Sequence, residues 1–136
     1  MDELETFRAV TVPRLQQADL ALHDGDPRPR IAMWSQRDPV TLFGAWRSGT
    51  GWAEIHPILE GLGRDFSDCE SFEQEIVATG QSGDLGYVVA FEHTTASVGG
   101  VPRSYTLRVT TVLRREDGEW KVVHRHADMV TDDSAP

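Results

Sequence analysis

The chain has 136 residues, enough for one domain with a buried core. It carries 22 acidic residues against 13 Lys and Arg, a net charge of −9, and the basic residues are dispersed, which argues against nucleic acid as a partner. The single cysteine, Cys69, rules out an intrachain disulfide and any multi-cysteine metal site, and no apolar run approaches the ~20 residues that cross a bilayer.

In chain order, residues 2–24 read as one helical region with Leu4, Phe7, Leu15, Ala18 and Leu22 as its apolar stripe. Pro13 is expected to kink or restart it, with Thr11 as a cap for the second part, and Gly25 ends it. A short helix is predicted from Pro27 to Trp34 and a short strand over Val40–Phe43, followed by a loop at 44–51. Trp52, Ile55, Leu59, Leu62 and Phe66 then fall at 3-4-3-4 spacing, which is one face of a helix that Pro57 should bend. Four long strands follow, at about 69–80, 85–97, 103–115 and 119–130. Asp117-Gly118 between apolar runs predicts a tight hairpin, because both turn positions need positive φ. Residues 1–130 read as one domain, and the tail 131–136 as disordered.

Helices first and an antiparallel meander afterwards make an α+β domain. The last hairpin carries two apolar rows. One is Tyr105, Leu107, Val109, Leu113, Trp120 and Val122; the other includes Val112, Val123, Ala127 and Met129. A sheet with one wet face alternates more cleanly, so helices are expected over one face and a second copy of the chain over the other.

The opening that closes in LHDGD, the strand VTLFGA, the RSGTGW loop leading into a helix and the final REDGEWKVVHRHAD together resemble the SnoaL-like families of the nuclear transport factor 2-like superfamily. The segment GGVPRSY…RREDGEWKVVHRH is also similar to the association domain of calcium/calmodulin-dependent kinase II. The resemblance implies a cone-like, curved antiparallel sheet wrapped around the N-terminal helices, a nuclear transport factor 2-like or cystatin-like fold. It further implies an apolar pocket at the wide end and homodimers through the sheet.

Relatives with isomerase or cyclase activity place a proton-abstracting carboxylate near the first strand. Leu42-Phe43-Gly44-Ala45 offers none, and Asp38 before Pro39 reads as turn chemistry. Counting by twos from the positions that line the cavity in relatives turns Arg108, Thr110 and Val112 inward on one strand and Val123, Arg125 and Ala127 on the next. Hydrophobicity alone favours Tyr105, Leu107 and Val109 instead; the inward row implied by the resemblance is adopted, because a dimer interface accounts for the other apolar row, although a slip of one residue reverses the choice. On the first reading Glu92 pairs with Arg108 as the catalytic pair, with Trp34, Trp46, His56, Thr110 and Arg125 as ligand contacts. The alternative reading of Glu92 and Arg108 is a partly buried ion pair that only satisfies itself.

His124 and His126 share a face with Asp128, but no third metal ligand accompanies them, so no metal is expected. Tyr87 and Tyr105 read as packing in the sheet, with donation to a ligand as the alternative. Two functions follow. One is a pocket for a small apolar or weakly anionic ligand, working as an isomerase, dehydratase or hydrolase without a cofactor. The other is a non-catalytic association domain. A cytoplasmic location, with neither membrane nor nucleic acid as partner, is expected for both.

Overall fold

The computed structural model describes residues 1–131. Helix α1 spans Glu3–His23 and starts at Asp2, whose side chain accepts from the Glu5 N–H at 2.7 Å. Glu3 and Glu5 in the first turn suit the positive end of the helix dipole. The helix runs through Pro13 as one element, and Thr11 is buried within it rather than capping a second helix. The carbonyl that Pro13 leaves without an N–H partner is that of Ala9, on the exposed side where water can serve it. At its end Gly25 takes φ +96°, Asp26 N–H reaches the Ala21 carbonyl at 2.8 Å and Gly25 N–H the Leu22 carbonyl at 3.0 Å. That double closure needs a left-handed residue after the helix, which is why the segment reads HDGD.

Helix α2 (Arg28–Met33) follows, then strands β1 (Thr41–Phe43) and β2 (Ser48–Thr50), which pair antiparallel. β2 lies in the stretch read from sequence as a loop. Its ladder to β1 makes it a strand, since Ser48-Gly49-Thr50 has little strand propensity of its own. Helix α3 covers Trp52–Asp65, and Asp38 from the loop between α2 and β1 accepts the Trp52 N–H at 3.0 Å. Ile55 and Leu59 on its inner face are fully buried.

Four long strands complete the chain: β3 (Phe66–Ser82), β4 (Leu85–Val98), β5 (Val101–Glu116) and β6 (Glu119–Met129). They fall where the alternating patterns placed them. Asp117 and Gly118 both have positive φ, at 52° and 81°, as the two-residue turn requires. The sheet order is β2-β1-β6-β5-β4-β3, curved and unclosed, with β1 lying parallel to β6 and every other pair antiparallel. The expected antiparallel meander is therefore joined by one parallel strand. The core sits between the concave face of the sheet and the helices, where Phe7, Trp34, Ile55, Leu59, Val88 and Leu113 pack together. No helix among the described residues is long and apolar enough to cross a membrane. The tail read as disordered lies, beyond Thr131, outside the described residues.

The register decides which rows face that core. On β5 the buried row is Leu107, Val109, Thr111 and Leu113, so Arg108 and Thr110 point to the outer face. On β6 a bulge interrupts the count: Val112 pairs with His124 but Leu113 pairs with Val122, leaving Val123 as the extra residue. Trp120 and Val122 before the bulge, Val123 in it, and Arg125 and Ala127 after it are all buried. One inserted residue shifts the phase of alternation, so both apolar rows of β6 turn inward at different points along it.

Candidate active site

Beneath the β1–β2 turn a small cavity penetrates the concave side. Leu42 and Ala127 from the sheet, Leu59 and Leu62 from α3, Phe66 and the loop residue Trp46 form its apolar walls. Four polar side chains also line it: His23, Arg30 and Arg125, which are buried, and half-exposed Arg47, which pairs with Asp65 at 3.5 Å. The enclosed volume is about 40 Å³, room for a few waters, since one needs roughly 10–15 Å³. Trp46 is 49% exposed and stands edge-on to Tyr105 and Phe66, at 5.2 and 6.2 Å between ring centroids.

The buried polar groups come from four elements. Asp19 and His23 stand four residues apart near the end of α1, on the same face as Leu15, Ala18 and Leu22. Arg30 comes from α2, three residues before buried Met33, and contacts the Asp19 carboxylate. Glu92 on β4 and Arg125 on β6 meet beneath β5. Arg125 donates from Nη1 and Nη2 to the two Glu92 oxygens at 2.9 and 2.8 Å. Such a two-point pair fixes both side chains. Asp19, Arg30, Glu92 and Arg125 are all less than a tenth exposed.

The formal charges balance, two guanidinium groups against two carboxylates, as burial requires. Burial by itself raises Glu92, but Arg125, through charge and hydrogen bonds, and then Arg30 outweigh it and hold the carboxyl below its ordinary value. Burial, and then the neighbouring charge of Arg125, bring Arg30 down to about 9. Glu92 opposes that shift and Asp19 touches the guanidinium, so Arg30 stays charged at neutral pH. Burial, with a smaller contribution from Arg125, lowers His23 to about 4 against the opposing influence of Glu92, so the imidazole is neutral.

Its tautomer is fixed as well. His23 Nδ1 lies 2.6 Å from the Asp19 carbonyl, which can only accept, so Nδ1 holds the proton. Nε2 then carries the lone pair and accepts from the Tyr105 hydroxyl at 3.1 Å. Burial pushes the Tyr105 phenol up to about 12, which keeps it a donor. Phe66 and Phe72 flank the imidazole at 4.5 and 5.2 Å. Among the described residues no group of His, Cys, Asp and Glu is arranged to hold a metal ion.

The profile of the SnoaL-like domain matches residues 16–132. The chain belongs to the SnoaL-like family. No curated protein matches it by sequence. Among solved structures, a ketosteroid isomerase-like protein from Erwinia carotovora atroseptica is 19% identical, with a TM-score of 0.77 over 96% of this chain and 98% of its own. A Streptomyces avermitilis protein described provisionally as a dehydratase of the NTF2-like family is 19% identical, with a TM-score of 0.74 over 93% of this chain and 98% of that one. A Thiobacillus denitrificans protein, provisionally a calcium/calmodulin-dependent protein kinase type II association domain, is 18% identical, with a TM-score of 0.69 over 89% and 95%. At such identities the likeness is one of fold, and it includes both resemblances read from the sequence.

Several residues singled out from this SnoaL-like sequence lie elsewhere than expected. The Glu92–Arg108 pair does not form. Arg108 sits on the outer face and binds Asp128 through two bonds of 3.0 and 2.7 Å, while Arg125 takes the place beside Glu92. The register explains the exchange: Glu92 pairs with Leu107 and Phe91 with Arg108, so Glu92 and Arg108 point to opposite faces. Thr110 is on the outer face with Arg108. Trp34 is buried in the core, bridged to Val122 and away from the cavity lining. His56 stacks on Trp52 at 5.0 Å and faces Glu60 at 3.1 Å, on the outer side of α3. Trp46 and Arg125 both line the cavity. Replacing Arg108 with Ala should leave the melting temperature nearly unchanged, since exposed ion pairs contribute little; a large drop in thermal unfolding would place a further role on the outer face.

His23, Asp19 and Arg30 were missed. Their signal was present in α1, where Asp19 and His23 interrupt an apolar stripe at its own spacing. A charged and a titratable group on the core side of an amphipathic helix require buried partners, and the arginines answer them.

Proposed function

We propose that this SnoaL-like domain binds a small, largely apolar carboxylate or carbonyl compound in the cavity under Trp46. The observation that carries this reading is the set of guanidinium donors left over at the cavity wall. Arg125 uses Nη1 and Nη2 on Glu92, and Arg30 meets Asp19 through Nη2. Each guanidinium carries five N–H donors, more than these contacts use, and both side chains line the cavity. A ligand oxygen is the natural acceptor there, and apolar walls make the remainder of the ligand hydrocarbon. The present volume admits only water-sized groups, so a ligand enters by displacing half-exposed Trp46.

The test is a fluorescence and calorimetric titration with cyclohexanecarboxylate, cyclohexanone and methylcyclohexane. The acid and the ketone should bind saturably and change the tryptophan emission, and the hydrocarbon should bind far more weakly. Trp46→Phe should lose most of the signal in fluorescence and retain the heat of binding. Equal affinity for methylcyclohexane, or no binding of any of the three, would remove this reading. Turnover of a bound compound is what would make the domain an isomerase or dehydratase, the activities in the names of the first two structural relatives, or a hydrolase.

A second reading, assembly through the outer sheet face, has its own support. Phe43, Val77 and Tyr87 are 46%, 58% and 44% exposed. With half-buried Val89 and Phe91 they give this face an apolar character that a second copy of the chain would cover. Because the β6 bulge turns Val123 and Ala127 inward, the case rests on these residues rather than on the double apolar pattern of the hairpin. Sedimentation equilibrium should show a dimer that Phe91→Glu converts to monomer; a monomeric wild type would end this reading.

A further inference from the structure

Among the described residues two interior hydroxyls, those of Thr11 on α1 and Thr94 on β4, are left out of the resting hydrogen bonds, and the second lies across from Tyr105. Thr94 Oγ1 on β4 is buried and has no hydrogen-bond partner among the described residues. Native interiors rarely leave such a group alone. Thr94 is the cross-strand neighbour of Tyr105, so the two side chains rise from the same face of the sheet. The Thr94 hydroxyl is near enough to ease ionisation of the Tyr105 phenol as a hydrogen-bonding neighbour does, although no completed bond joins them at rest. Tyr105 instead donates to His23 Nε2, the one acceptor that the imidazole offers.

Building on the ligand-binding reading above, we propose that the preferred ligands are hydroxy acids and hydroxy ketones. The carbonyl or carboxylate oxygen sits on Arg30 and Arg125. The ligand hydroxyl donates to His23 Nε2, and Tyr105 vacates that lone pair by turning its hydroxyl to Thr94.

This exchange conserves hydrogen bonds and removes the orphan. Tyr105 gives up one acceptor and gains another, the ligand hydroxyl takes Nε2, and Thr94 acquires a partner. A ligand without the hydroxyl leaves the resting arrangement as it is and gains nothing at this end. Ammonium donors are disfavoured, because Arg30 from α2 and Arg125 from β6 already place positive charge at the cavity wall. From the other elements His23 is faced by Glu92 on β4 and Tyr105 on β5, with the aromatic rings of Phe66 and Phe72 on β3.

The test compares cyclohexanecarboxylate with cis-3-hydroxycyclohexanecarboxylate by calorimetry at pH 7.5. The hydroxylated acid should bind at least about tenfold more tightly to the wild type. Thr94→Val, which keeps shape and removes the second seat of Tyr105, should abolish that preference while leaving the plain acid unaffected. Tyr105→Phe, which leaves Nε2 free, should retain it, and His23→Phe should lose it. Equal affinity of the two acids for the wild type, or an undiminished preference in Thr94→Val, would overturn the proposal and leave the binding of acids intact. Failure of both acids to bind would instead overturn the ligand-binding reading and this one with it.

Discussion

Arg125→Met should be among the most destabilising single substitutions in this chain, costing about 3–5 kcal/mol. It would strand Glu92 in the interior without the two hydrogen bonds and the charge that hold it ionised. For a domain of this size the melting temperature should fall by roughly 10 °C or more. The magnitude belongs to the stranded charge and not to the pair. Glu92→Met combined with Arg125→Met should therefore recover most of the loss, because a desolvated ion pair is replaced by apolar groups of similar volume. Thermal and denaturant unfolding of the two variants would decide it. If the double variant is as unstable as Arg125→Met alone, the pair holds the fold together in some way that its charges do not explain. The double variant should also fail to bind cyclohexanecarboxylate, which would separate the binding role of Arg125 from its role in stability.

Stability should decline as the pH is lowered from about 6.5 to about 4, and His23 should account for most of that decline. Its folded-state value is about 4 against 6.5 for the free side chain, chiefly because burial opposes the charged form. Above 6.5 the imidazole is neutral in both states and contributes nothing to the pH dependence. Between 6.5 and 4 the unfolded chain takes up the proton and the folded one does not, so protonation favours unfolding. Below 4 both are protonated and the penalty stays constant, at about 3 kcal/mol from the size of the shift. His124, lowered mainly by burial and then by neighbouring His126, adds a smaller contribution of the same sign. Glu92 is held below its ordinary value, so its stabilisation is lost only as the pH falls through the carboxylate range. The two causes therefore occupy different windows. His23→Phe, with an aromatic ring kept between Phe66 and Phe72, should flatten the curve between pH 6.5 and 4 and leave the acid limb in place. A wild-type curve that is flat over that range would show that His23 is not buried neutral.

The two predictions concern one interior. Asp19, His23, Arg30, Glu92 and Arg125 arrive from α1, α2, β4 and β6, and none has its partner nearby in sequence except His23, which bonds the carbonyl of Asp19. A charge-balanced cluster of this kind is costly to bury, and an apolar core would be simpler. The leftover donors at the cavity wall and the free hydroxyl of Thr94 are what a site for a polar ligand needs and a purely structural cluster does not.

Local chemistry made most of the architecture legible. Gly25 ended α1, the 3-4-3-4 row from Trp52 to Phe66 specified α3, and Asp117-Gly118 set the last hairpin, because helix ends, periodicity and positive-φ turns act within a few residues of the chain. Alternation on β5 favoured Leu107 and Val109 as the inner row, and they are buried. Tertiary structure decided what depends on distant pairing. The bulge at Val123 turns Arg125 to the interior while Arg108, on the neighbouring strand, faces out. β2 exists through its ladder to β1, and β1 lies parallel to β6 across a long separation in sequence. A shift of one residue in a ladder sends a side chain to the other face of the sheet, and the free energy that selects the register comes from packing the whole concave surface against the helices. Composition and spacing were therefore sufficient for the helices and the long strands but not for β2, and the identity of the arginine beside Glu92 was settled only when the strands and helices closed on one core.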